Sequence, residues 1–166
     1  MRMATIGFGD STANTVGTLP APGDKAPSFT LVAADLTELT SDGLSGRTVI
    51  SIFPSIGTGV CQASVRKFNE LAAGLEETTV LNVSMDLPFA LSGFCAAEGL
   101  ENVAVASAFR STFGQDFGVT LTDSKFQGLF ARAVVVVDTD GTVLHSELVA
   151  AIGQEPDYDA AIAALS

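Results

Sequence analysis

The chain reads as a single α/β domain over residues 1–166, built on a mixed central sheet flanked by helices, and three observations predict it. Short runs rich in β-branched residues recur along the chain, at Thr48–Phe53, Thr78–Met85 and Arg132–Val137. The first two are followed by apolar residues at helical spacing. An Asp-Gly turn at Asp140–Gly141 separates the third run from another strand, which is the signal of an antiparallel hairpin. With 47% hydrophobic and 16% charged residues, 166 residues suffice to bury a substantial core.

The elements follow in order. Residues 1–17 form an N-terminal extension that reads as an irregular or hairpin-like lead-in. Between Thr18 and Pro27 stand three of the six prolines, which exclude a regular helix or central strand there. Phe29–Val32 is a short strand candidate, and Thr40–Gly46, rich in Ser, Gly and Asp, is a loop. Thr48–Phe53 is the first core strand. After it Pro54, Gly57 and Gly59 make a turn, Thr58 is a candidate cap, and a helix carries Val65, Phe68, Leu71, Ala72 and Leu75 on one side.

Thr78–Met85 is the next strand, Pro88 marks a helix start, and Phe89–Glu98 is helical until Gly99 stops it. Val103–Ala106 is a short strand candidate, and Phe109–Phe117 reads as a helix or a loop. The strand Arg132–Val137 turns through Asp138–Gly141 into a strand over Thr142–Leu148. Pro156 opens a last helix with Tyr158, Ala161, Ile162 and Leu165 on one face. This order, βαβα followed by a β-hairpin and a terminal helix, is thioredoxin-like, with a β-hairpin extension in front.

Charge removes several function classes. The formal net charge is -11, and the five arginines and three lysines are dispersed, so phosphate backbones and anionic membrane surfaces are repelled. Apolar runs such as Ala133–Val137 are far too short to span a bilayer. The N-terminus shows no secretory signal pattern, and two cysteines in a chain of this size suit a reducing compartment, with the cytoplasm as the expectation.

Cys61 falls in the first turn of the helix after Thr48–Phe53, where unpaired N–H groups and the positive end of the helix dipole favour a thiolate. Cys95 lies on the second helix. The pair is not C-x-x-C, and with a single distant His145 it does not supply the usual four ligands of a metal site. The layout permits a reactive thiol with a remote partner, in which a sulfenic acid on Cys61 is trapped by Cys95 as a disulfide. Closing that loop in a flexible chain costs about 3 to 4 kcal/mol of chain entropy, which a folded scaffold largely removes. Joining two helices still requires local unwinding, which Gly93 and Gly99 make easier. Taken singly, the residues read more plainly: Cys95 as core packing, Thr58 as a plain cap, Arg132 as an edge residue pairing with an acid, and His145 as a solvent-facing side chain.

The run Pro54-x-x-x-Thr58-x-x-Cys61 resembles the active-site signature of the peroxiredoxins. Longer stretches are similar to one subfamily, the bacterial thiol peroxidases, which are atypical two-cysteine peroxiredoxins: residues 53–61, 63–69, 86–90, 94–100, 131–136 and 155–158. The resemblance implies that Cys61 is the peroxidatic and Cys95 the resolving cysteine, joined in an intrachain disulfide. It also implies that Thr58 bonds the thiolate and the incoming peroxide, that Pro54 shields the thiolate from water, and that Arg132 holds its charge and polarises the O–O bond. It implies hydrogen peroxide and organic hydroperoxides as substrates, thioredoxin as reductant, a homodimer, and no metal, haem or flavin. Gly57 departs from the family, which usually carries Asp there.

Two other functions stay open at this point. A thioredoxin-type disulfide reductase is disfavoured by the missing C-x-x-C and by the lack of a proline between Phe89 and Glu155. A redox sensor that switches a partner surface uses the same thiols, and only peroxide turnover separates it from an enzyme.

Overall fold

The computed structural model describes residues 3–166. A two-stranded hairpin, β1 (Thr5–Phe8) and β2 (Ser11–Asn14), precedes the main body. There the strands are β3 (Thr30–Ala33), β4 (Glu38–Thr40), β5 (Arg47–Ile52), β6 (Thr78–Ser84), β7 (Ala104–Ser107), β8 (Ala133–Val137) and β9 (Val143–Leu148). They form one seven-stranded sheet in the order β4-β3-β7-β6-β5-β8-β9. The helices are α1 (Gly59–Ala72), α2 (Pro88–Glu98), α3 (Phe113–Asp116) and α4 (Tyr158–Ala163). The sheet is mixed: β5, β6 and β7 run parallel, while β8 lies antiparallel to β5 and β9 to β8.

Alternation along the central strands sorts the core into two faces, because successive strand side chains point opposite ways. Ile50, Ile52, Leu81, Val83, Ala133 and Val135 pack on one side with Phe113 of α3 and Phe117 just after it. Val49, Val80, Val134 and Val136 pack on the other with Phe68 of α1 and Ala161 of α4. Being covered on both sides, β5 and β8 carry near-continuous apolar runs, which is why they stand out in the sequence.

Several boundaries differ from the sequence reading. The segment Phe109–Phe117 is helical only over Phe113–Asp116, where packing rather than propensity holds the turn: Phe113 and Phe117 stack with centroids 4.3 Å apart. The last helix starts at Tyr158 rather than at Pro156, because the Asp157 carboxylate accepts from Ala160 N–H at 3.0 Å and caps it there. Edge strand β4 has no apolar run to announce it; it is formed by pairing with β3 across a turn containing Leu36. His145 is not solvent-facing. It is half-buried on β9 opposite Val136, and its Nε2 is buried without a hydrogen-bond partner among the described residues.

Candidate active site

The site is assembled where the chain leaves β5. Because β8 is antiparallel to β5, with Ile52 opposite Ala133, the residues just after β5 lie beside those just before β8. Strand register therefore brings the Phe53–Thr58 turn next to Arg132. Pro54, which is buried, cannot donate to a ladder, and strand pairing ends there. The turn closes on itself: Thr58 N–H donates to Ser55 C=O at 3.1 Å, and the Thr58 hydroxyl donates to the same carbonyl at 3.3 Å.

Thr58 is the N-cap of α1, with extended backbone (φ -99, ψ 148). Its Oγ1 accepts from Cys61 N–H at 3.3 Å. That bond satisfies one of the donors that every helix start leaves unpaired, and it fixes the backbone that carries Cys61. One turn on, Ser64 Oγ donates to Cys61 C=O at 2.9 Å, so Cys61 is held at both backbone ends. The Cys61 side chain is fully buried among Phe53, Ile56, Val65 and Leu91.

Into this apolar surrounding comes one charged group. Arg132 is only 2% exposed, and its Nη1 donates to Cys61 Sγ at 3.3 Å while Nη2 donates to Ile152 C=O at 3.0 Å. Arg132 Nε is buried without a partner among the described residues. The expectation of an edge residue paired with an acid is thus replaced: among the described residues no carboxylate takes the guanidinium, and the Cys61 sulfur accepts from it. A buried cation is costly unless its donors find partners, and here the Cys61 sulfur and the Ile152 carbonyl accept from it. A thiol beside a cation at a helix start is the general setting of reactive cysteines.

Cys95 is the contrasting thiol. It lies deep in α2, half-buried, at the margin of the apolar cluster that encloses Cys61. Burial pushes its thiol above the usual 9.0. Both cysteines are free thiols in this state. Cys95 also lines a groove of about 720 Å³ between α2, β7 and the β3–β4 hairpin, whereas the Cys61 sulfur is enclosed.

Pro54, Thr58, Cys61 and Arg132, predicted from sequence, are brought together, and Cys95 borders the same cluster. Missed by sequence reading was Asp86, whose Oδ1 accepts from Ser55 Oγ at 2.8 Å and whose Oδ2 accepts from Ile56 N–H at 2.7 Å. The Asp86-Leu87-Pro88 run pointed to a loop, and only the side-by-side exit of the parallel strands β5 and β6 reveals what the carboxylate holds. Gly57 is exposed, and a Cβ there would meet only Ser55 Oγ at 3.4 Å, so the turn has room for a side chain.

Comparison with known proteins follows the same lines. A family model described as Redoxin matches residues 21–162. The chain is 55% identical over 165 residues to a protein named Thiol peroxidase from Corynebacterium glutamicum, covering 99% of this chain and 100% of the relative. It is 54% identical over 164 residues to a Thiol peroxidase from Mycobacterium tuberculosis, covering 98% and 99%. Among solved structures, a peroxiredoxin-like protein from Aquifex aeolicus superposes with a TM-score of 0.90 at 37% identity, covering 98% of this chain and 96% of that one.

Proposed function

Since this chain belongs to the Redoxin family and is a thiol-dependent peroxidase, we propose that Cys61 is its peroxidatic cysteine and Cys95 its resolving cysteine. The observation that carries this reading is the 3.3 Å approach of Arg132 Nη1 to Cys61 Sγ at the capped start of α1. The Cys61 thiolate attacks one peroxide oxygen; an S–O bond forms, the O–O bond breaks, and the leaving oxygen departs as hydroxide or alkoxide and takes up a proton. Arg132 stabilises the charge that passes from sulfur to the leaving oxygen, in a site where low dielectric makes such donors worth more than in water. The Thr58 hydroxyl orients the peroxide, and buried Pro54 keeps water from the thiolate.

Cys95 then attacks the Cys61 sulfenic sulfur. An S–S bond forms, the S–O bond breaks and water leaves, giving an intrachain disulfide. An external dithiol protein, by this proposal thioredoxin, reduces it by thiol–disulfide exchange. Substrates are hydrogen peroxide and organic hydroperoxides, and the working form is a cytoplasmic homodimer. Leu87, Phe89 and Phe109, all exposed at the strand ends nearest Cys61, support the dimer by leaving apolar surface to cover. Among the described residues no helix is long and apolar enough to cross a membrane.

The test is intact mass and free-thiol count after one equivalent of hydrogen peroxide. Wild-type protein loses two thiols without a covalent dimer, Cys61→Ser does not react, and Cys95→Ser stops at one added oxygen after a single turnover. Equal residual peroxide reduction in the two variants would contradict the assignment.

A further inference from the structure

Asp86 stands between the two cysteine-bearing parts of the molecule. It follows β6 and immediately precedes Leu87, the N-cap of α2. β5 and β6 are parallel neighbours, so their C-terminal ends emerge side by side, and the Asp86 carboxylate reaches back to the turn that follows β5. Besides Ser55 and Ile56, Asp86 Oδ2 accepts from Ser84 Oγ at 2.6 Å. Asp86 is itself anchored: its N–H donates to Ser84 Oγ at 3.2 Å, and its carbonyl accepts from Ser107 Oγ. Ser84 and Ser107 are both fully buried.

A carboxylate is acceptor-only, and here it meets three donors; bonds to a charged acceptor are roughly twice as strong as neutral ones. What it holds leads directly to the nucleophile. Ser55 C=O accepts both the N–H and the hydroxyl of Thr58, and Ile56 C=O accepts from Gln62 Nε2 at 3.0 Å. Thr58 in turn caps Cys61. From Asp86 to the Cys61 backbone the chain of contacts is continuous.

We propose that Asp86 is a positioning residue for the peroxide step. It clamps the Ser55–Ile56 turn so that Thr58 caps α1 and the Cys61 sulfur stays against Arg132, and it keeps that turn in place while the body of α2 beyond it unwinds to release Cys95. This rests on Cys61 being the peroxidatic cysteine.

Stopped-flow kinetics with hydrogen peroxide test it by separating two steps: sulfenic acid formation, measured in a Cys95→Ser background, and disulfide formation, measured with Cys95 present. Asp86→Ala slows the first step about ten- to a hundredfold, the range set by losing one or two charge-assisted bonds. The second step is essentially unchanged. Asp86→Asn recovers most of the first step, because its amide oxygen takes the Ile56 and Ser84 donors and its NH₂ donates to Ser55 Oγ. Where Asp86→Ala does not fold, Ser55→Ala removes one contact of the clamp and slows the first step severalfold. An unchanged first step in these variants overturns the proposal, and so does an equal fall in both steps without rescue by Asn. A Cys61→Ser variant that still reduces peroxide would instead sink the assignment of Cys61.

Discussion

Cys61 and Cys95 border the same apolar cluster, yet the structure restrains one and leaves the other loosely held. Cys61 is fully buried in the first turn of a 14-residue helix, its backbone bonded by Thr58 and Ser64 and its sulfur by Arg132. Cys95 sits half-buried in an 11-residue helix that buries only Pro88 and Leu91 and contains Gly93, which costs about 1 kcal/mol of helix stability relative to Ala. Apart from buried Leu91, the side chains of α2 reach α1 at its rim, where Glu98 pairs with Arg66 and Phe94 lies under the same guanidinium at 5.4 Å. Such exposed pairs contribute little and exchange readily. The contrast teaches a division of labour. On the mechanism proposed above, peroxide meets a thiol that is already placed, and the motion needed for resolution falls to α2, which buries only Pro88 and Leu91.

Arg132→Ala breaks the comparison most severely. It leaves Cys61 buried without its cation and slows sulfenic acid formation by about 10²- to 10³-fold, the usual consequence of removing one donor aimed at developing charge. Stopped-flow oxidation checks it, and a rate within twofold of wild type, which is about 0.4 kcal/mol, would remove Arg132 from the mechanism. Thr58→Val takes away the oxygen that caps α1 and bonds the Cys61 backbone. Thermal or denaturant unfolding should show a loss of about 1 kcal/mol. The peroxide step should slow as well, while disulfide formation keeps its rate.

The comparison sharpens with pH. Burial holds the folded Cys95 thiol above 9.0, its ordinary value, so the folded state keeps its proton where the unfolded chain gives it up. The stability this contributes is fully present below 9.0 and is lost as pH rises through and beyond that value. Cys95→Ala should therefore lose less stability than wild type on going from below to above 9.0 in denaturant titrations, by a small amount because the side chain is half-exposed. Resolution should likewise accelerate as pH rises through this range, since the attacking species is the thiolate. The smallest effect is expected at Gly57, where the backbone φ is not positive and a Cβ meets only Ser55 Oγ. Gly57→Ala should raise stability by about 0.4–1 kcal/mol by stiffening the unfolded chain, with the peroxide rate little changed.

Much of this arrangement is legible in the sequence. Strands buried on both faces announce themselves as β-branched runs, so β5, β6 and β8 lie within a residue or two of expectation. Gly99 is the αL cap (φ 67) that stops α2 as its position suggests. Thr58 and Cys61 are local to one turn and follow from spacing alone. Less legible is whatever depends on register between distant strands. Taken singly, Arg132 reads as an edge residue; the family resemblance pairs it with Cys61, and the β5–β8 register gives the physical reason, while Asp86 reads as a loop residue until the parallel exit of β5 and β6 sets it against Ser55. β4 and α3 exist because of their neighbours, β3 and the stacked phenylalanines, and carry no periodic signal of their own.

The most direct test of the fixed nucleophile and releasable partner is hydrogen exchange read peptide by peptide on the reduced protein and on protein oxidised with one equivalent of hydrogen peroxide. The account predicts that residues 59–66 keep their protection in both states while residues 88–99 lose theirs on oxidation. Equal protection of 88–99 in the two states, or loss confined to the head of α1, would contradict it.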